Sequence, residues 1–156
     1  LFVCENNQFS IYTHLNERQP SGRSFKDIGN AYDIASDHID GSDVLNVKKY
    51  CDNAKQFIHN NNKPFFLTID TYRWLQHCGP ETDDHLNYRD QKDVNKSIEN
   101  CSIKKMDSLL KKIDLNWISY KKNEENKIRS SVEDSFAYAI ESNLPDKEQA
   151  WENIYV

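Results

Sequence analysis

The chain has 156 residues, 20 basic against 25 acidic side chains, and a formal net charge of −5. That is the size of one domain and long enough to bury a core. The acidic balance and the lack of a basic stripe with interleaved aromatics argue against nucleic acid as a partner. No apolar run approaches the ~20 residues that span a bilayer, so no membrane is expected. The four cysteines (Cys4, Cys51, Cys78, Cys101) form no CxxC pair and no zinc spacing, and read as reduced thiols of a cytoplasmic protein. The start lacks the basic flank and apolar length of a signal peptide. A chain opening on Leu1 inside a strand-like run suggests an N-terminal truncation.

In chain order, residues 1–5 read as a buried strand, and 8–23 as a long loop without periodicity. Ser24 with Asp27 three positions on resembles a capping box, opening a short helix through Ala31. A short strand over 37–40 leads through Gly41-Ser42 into the clearest element. Val44, Val47, Cys51, Ala54 and Ile58 recur at helical steps there, with Ser42 as expected N-cap and Asn60–Asn62 as the end. Pro64 leads into Phe65–Tyr72, rich in strand formers. Strand, helix, strand in that order predicts a parallel βαβ unit with a right-handed crossover. Residues 75–90 form a polar loop. Helical segments come after it, one marked by Ile103, Met106, Leu109, Leu110 and Ile113. A longer one, from about Ser119 to Ser142, carries Ile128, Val132, Phe136 and Ile140, with Lys121–Asn126 as its solvated face. The expected fold is α/β, a mostly parallel sheet flanked by helices with a helical C-terminal tail, divided into 1–90 and 91–156.

Open parallel sheets collect ligands at the carboxyl ends of their strands. Asn6-Asn7 stands at the end of the first run. Asn7 can hold a hard cation through its amide oxygen, with Glu5 as the nearest acid, or it can hydrogen-bond a neighbouring loop. Arg73 and His77 come after the Phe65–Tyr72 run. The imidazole suits contact with phosphate or a reacting oxyanion. Arg73 fits a bidentate anion partner or a loop-ordering salt bridge to Asp83 or Asp84. Cys78 beside His77 is not a Cys–His nucleophile, because adjacent extended residues point apart. His14, His38, His59 and His85 show no ligand spacing.

Three ordered segments carry a resemblance: Cys4-Glu5-Asn6-Asn7-Gln8-Phe9, Ile39-Asp40-Gly41-Ser42-Asp43-Val44 and Thr71-Tyr72-Arg73-Trp74-Leu75-Gln76-His77. Together with Tyr88-Arg89 and the helical tail they resemble the C-terminal half of the alpha subunit of thiamine diphosphate-dependent 2-oxo acid dehydrogenases. That family includes the pyruvate, branched-chain and acetoin enzymes. The resemblance implies a thiamine diphosphate-binding fold and an oxidoreductase using thiamine diphosphate and Mg²⁺. It implies a beta-subunit partner in an arrangement of two alpha and two beta subunits, and a lipoyl-bearing acyltransferase as acyl acceptor. It gives Asn7 and the carbonyl of Phe9 as Mg²⁺ ligands, Arg73 as part of the cofactor site, and His77 as a cofactor-contacting group that assists acyl transfer.

The sequence departs from that pattern at Cys78, where many relatives have a serine that is phosphorylated in mitochondrial members, so that switch is expected to be absent. The loop Cys78–Asp84 is about two residues longer, which leaves acetoin-like or sugar-pathway substrates open beside pyruvate and branched-chain 2-oxo acids. The Gly-Asp-Gly half of the cofactor motif is missing from these residues, so the chain alone is expected to be inactive. Two other roles remain: a non-catalytic remnant or interaction subunit of the same fold, and a phosphate-binding module of unrelated fold.

Overall fold

A computed structural model describes residues 1–152 and 154, and divides into two compact units, Leu1–Leu109 and Leu110–Val156. The first unit is α/β. Strands β1 (Phe2–Asn6), β2 (Phe9–Ser10) and β3 (Thr13–His14) are followed by helices α1 (Leu15–Arg18) and α2 (Phe25–Ala31). Then come β4 (Ala35–Asp40), α3 (Val44–Asn61) and β5 (Phe65–Asp70). A 3₁₀ turn at Asp84–Leu86 precedes α4 (Gln91–Glu99) and α5 (Ser102–Ile113). The main sheet is parallel, in the order β1-β5-β4, and β2-β3 is a separate antiparallel hairpin.

The core lies on one face of the sheet. Phe65, Leu67 and Ile69 alternate along β5, join Ile39 of β4, and pack under Ala54, Val47, Cys51, Phe57 and Ile58 of α3. A central parallel strand covered on both faces reads as a near-continuous apolar run, which is why Phe65–Ile69 is visible in sequence. The strand–helix–strand unit is parallel, as expected. On the other face α2 approaches closely. A Cβ on Gly29 would lie 2.1 Å from Ser36 Oγ.

The capping box between Ser24 and Asp27 is present on α2, and Asn62 closes α3 in the left-handed conformation with φ 49°. Four expectations are corrected. Residues 1–5 are not a buried strand. β1 stands at the edge of the sheet, with Phe2 57% and Val3 51% exposed. The stretch 8–23 is not a featureless loop but the β2-β3 hairpin and α1; two-residue strands are too short to show alternation. The N-cap of α3 is Asp43, whose carboxylate accepts from the N–H groups of Leu45 and Asn46, while Ser42 is bound to Asp40. β5 ends at Asp70, so Thr71 and Tyr72 already belong to the loop. Helix α4, with Val94 as its buried residue, is an element of its own that the sequence pattern does not separate from α5.

The second unit contains the end of α5, the 25-residue helix α6 (Trp117–Glu141) and a 3₁₀ turn at Lys147–Trp151. Lys127–Glu124 and Lys121–Glu125 pairs lie along α6, and Ile128, Val132, Phe136 and Ile140 are exposed on it. Among the described residues no helix is long and apolar enough to cross a membrane.

Candidate functional site

The carboxyl ends of the three parallel strands place Asn6, Asp70 and Asp40 side by side in register. Asn6 is 6% exposed, and its Nδ2 donates to Asp70 Oδ1 at 2.8 Å. Its own Oδ1 accepts from the Gln8 N–H at 3.2 Å. Gln8 Nε2 also reaches Asp70 Oδ1, at 3.3 Å, and His38 Nε2 meets Asp70 Oδ2 at 2.8 Å. Gln8 has φ 68°, a left-handed conformation uncommon for a residue with a side chain. One position along, Asn7 Oδ1 accepts from the Phe9 N–H at 2.9 Å, closing an Asx turn. This fixes which atom of Asn7 is the oxygen, since the flipped amide would set two donors against each other.

A cavity of about 680 Å³ opens over these strand ends. Gln8, Phe9 and His14 line it from the hairpin, and Asp40, Gly41 and Ser42 from the turn after β4. Asp70, Tyr72 and Trp74 line it from the end of β5 and the loop beyond, with Arg89, Asp93 and Lys96 opposite. The turn after β4 can sit this close to β5 because Gly41 has no side chain. A Cβ there would lie 2.5 Å from the Asp70 carbonyl oxygen, and the Gly41 N–H instead donates to that oxygen at 2.8 Å. Asp40 accepts from both the N–H and the hydroxyl of Ser42, which hold its carboxyl below the usual value. Helix α4 is tied to the wall by the Trp74 indole N–H, donated to Ser97 Oγ at 2.9 Å. Lys105 of α5 donates to Ser42 Oγ at 3.0 Å.

The loop after β5 is anchored by a buried charge cluster. The Asp83 side chain is 1% exposed and that of Arg89 3%. Arg89 Nη2 donates to Asp83 Oδ1 and, at 3.1 Å, to Asp84 Oδ1, while its Nη1 donates to the Arg73 carbonyl. The Tyr88 hydroxyl donates to Asp83 Oδ2 at 2.7 Å. Burial, and next this bond to a carboxylate, push the Tyr88 phenol above its ordinary value. Tyr88 also makes edge contacts with Phe9 (5.4 Å) and Tyr12 (5.1 Å), which joins the loop to the hairpin after β1.

The expected site residues fall in different places. Phe9 lines the cavity; Asn7 sits in the turn beside it, and Arg73 and His77 are not among the lining residues. Arg73 donates to the carbonyls of Leu75 (2.6 Å) and Ile11 (2.9 Å) and to the Tyr88 hydroxyl (3.2 Å), with Asp83 at 3.9 Å. Its guanidinium is thus engaged in ordering the loop. His77 lies at an exposed tip whose base is closed by the Gln76 N–H donating to the Glu81 carbonyl at 2.8 Å. Among the described residues no hydrogen bond holds its imidazole. Asp70, Gln8 and Arg89 also line the cavity. Gln8 and Arg89 stand within the quoted segments without a role assigned to them, and Asp70 has as its only signal a position at the end of a strand.

Comparison with known proteins covers nearly the whole chain. The family described as "Dehydrogenase E1 component" matches residues 1–148. The chain is 31% identical, over its whole length, to 39% of the pyruvate dehydrogenase E1 component subunit alpha-1, mitochondrial, of Oryza sativa subsp. japonica. It is 30% identical to 38% of the alpha-2 subunit of Arabidopsis thaliana, and 23% identical to 47% of the alpha subunit of Rickettsia bellii. The chain therefore spans about two-fifths of the length of these two plant relatives. The family match, which runs from residue 1 to residue 148, shows that this chain belongs to the dehydrogenase E1 component family.

Proposed function

We propose that the chain forms the Mg²⁺-anchoring half of the thiamine diphosphate site in the alpha subunit of a 2-oxo acid dehydrogenase. The observation that carries this is the Asn7–Phe9 turn at the carboxyl end of β1, beside the cavity over the strand ends. The fit to a hard cation is chemical. Asn7 Oδ1 spends one lone pair on the Phe9 N–H and keeps the other, and the Phe9 carbonyl is a second neutral oxygen two residues on. Asp70, the carboxylate at the next strand end, is taken by Asn6, Gln8 and His38. These residues thus supply part of a donor set, and a further oxygen ligand must come from elsewhere.

When bound, thiamine diphosphate supplies the electron sink for decarboxylation of a 2-oxo acid such as pyruvate, or for acetoin cleavage. This chain's own contributions are simpler. Asn7 and Phe9 hold the ion. His77, on its exposed tip, gives or takes a proton or hydrogen bond through an imidazole nitrogen as the acyl group passes to a lipoyl arm. Arg73 keeps the His77 loop in place. A beta subunit and a lipoyl-bearing acyltransferase are the expected partners, in a reducing compartment that suits four free cysteines, the cytoplasm on our reading. A second role, as an interaction subunit without turnover, is favoured by the exposed apolar stripe of α6.

A thermal-shift titration of the full-length gene product with thiamine diphosphate and Mg²⁺ tests the reading. A ligand that binds only the native state raises the unfolding midpoint. Wild-type protein should shift and Asn7→Ala should not; equal shifts in both would remove the metal role.

A further inference from the structure

The metal turn has a support that lies outside it. Among the described residues no hydrogen bond joins Asp70 to Asn7 or Phe9, yet its carboxylate is the point where the turn's flanking residues meet. Oδ1 accepts from Asn6 Nδ2 at 2.8 Å and from Gln8 Nε2 at 3.3 Å, and Oδ2 is held by His38 Nε2 at 2.8 Å. Asn6 and Gln8 are the two neighbours of Asn7. We propose that Asp70 is the positioning residue for Asn7: it holds both neighbours through hydrogen bonds and so aims the Asn7 and Phe9 oxygens at a common point.

The chain of contacts is short. Pinned by Asp70, the buried Asn6 amide must present its oxygen to the Gln8 N–H, 3.2 Å away. That bond, the Gln8 side-chain bond to Asp70 and the Leu15 N–H donated to the Gln8 carbonyl at 2.7 Å together hold Gln8 at φ 68°. A left-handed non-glycine residue persists only where its surroundings over-determine it. Removing the Asp70 carboxylate frees Asn6 to rotate and Gln8 to relax, and the angle between Asn7 Oδ1 and the Phe9 carbonyl is lost. Direct ligation by Asp70 is the competing role. Two amide N–H groups already donate to Oδ1 and His38 Nε2 stands 2.8 Å from Oδ2, which favours support over ligation.

The inference rests on Asn7 and Phe9 being the metal ligands, and the experiment separates the two claims. Mn²⁺ affinity is measured by electron paramagnetic resonance on the full-length gene product with thiamine diphosphate, for wild type, Asn7→Ala, Asp70→Ala and Asp70→Asn. Outer-shell partners of metal ligands are typically worth about 10- to 100-fold in affinity. Asp70→Ala should weaken Mn²⁺ binding by about that factor, with Asp70→Asn, which keeps an acceptor oxygen for Asn6 and Gln8, largely restoring it. Loss in Asn7→Ala without loss in Asp70→Ala overturns the positioning role and leaves the metal reading standing. Equal loss in Asp70→Asn and Asp70→Ala overturns it in favour of charge or ligation. No effect in Asn7→Ala sinks both. Should Asp70→Ala fail to fold, Asn6→Ala cuts the same chain of contacts one link later; its Mn²⁺ affinity must fall, and an unchanged value counts against the proposal.

Discussion

Asp83 and Arg89 form an ion pair that is hidden almost completely from solvent, at the foot of the loop that carries His77. Isolated charges this deep are costly, and the remaining bonds of the cluster run to backbone carbonyls, Asp84 and the Tyr88 hydroxyl. Breaking a buried pair from one side strands the partner, typically at about 3–5 kcal/mol. Asp83→Ala is therefore expected to lower unfolding stability by about that amount, read from the urea midpoint. A change under about 1 kcal/mol would show that Asp84 and water replace the lost carboxylate.

His77 presents the opposite case. Its tip is exposed, and among the described residues no hydrogen bond restrains the ring. His77→Ala should leave the unfolding midpoint and cofactor binding near wild type. If His77 assists acyl transfer as proposed, turnover should fall by about a hundredfold or more, the usual worth of a positioned acid or base. Unchanged turnover in the assembled enzyme would return His77 to an ordinary surface residue. Comparing Asp83→Ala with His77→Ala distinguishes loss of the loop's anchor from loss of the group it carries.

The contrast explains what is legible in the sequence. The apolar runs of β5 and α3 announce themselves because their side chains fill one core, and the Ser24–Asp27 box marks α2 by cap chemistry alone. Phe2 and Val3 mislead, because apolar strand formers look alike whether central or at an edge; only the pairing order separates them. Asn7 and Arg73 are legible as residue types. Arg73's partners are partly so, since Asp83 stands ten positions on, but Ile11 and Tyr88 reach it only through the fold. Asp70 is invisible as a hub because its three partners, Gln8, Asn6 and His38, lie 62, 64 and 32 residues away in sequence.

Asp40 gives a pH expectation at the turn after β4. The Ser42 N–H, and next its hydroxyl, hold the carboxyl below its ordinary 3.8. A depressed folded value means that the stabilisation is present above the unfolded value and is lost as pH falls through the folded one. The Ser42 amide proton should therefore keep its bonded chemical shift down to about pH 4, then move and exchange faster as the pH drops further. Movement centred at or above the ordinary carboxylate value would mean that the turn is not held by these bonds. Asp40→Asn should make the amide shift insensitive across the same range.

Gly41 sets how closely that turn approaches β5. An added Cβ would lie 2.5 Å from the Asp70 carbonyl oxygen and 2.8 Å from Ile69 Cγ2. The first neighbour is backbone of the central strand, so it cannot swing aside as a side-chain tip would. Either the turn lifts, breaking the 2.8 Å bond from the Gly41 N–H, or β5 shifts beneath it. Overpacking of this kind typically costs about 1–3 kcal/mol. Gly41→Ala should therefore lower the urea midpoint by a corresponding amount. Gly29→Ala, whose nearest obstacle is the Ser36 hydroxyl, should recover part of its cost when combined with Ser36→Ala. No such partner exists for Gly41, because no substitution removes a carbonyl. Wild-type stability in Gly41→Ala would show that the turn has room that its backbone bond to Asp70 does not reveal.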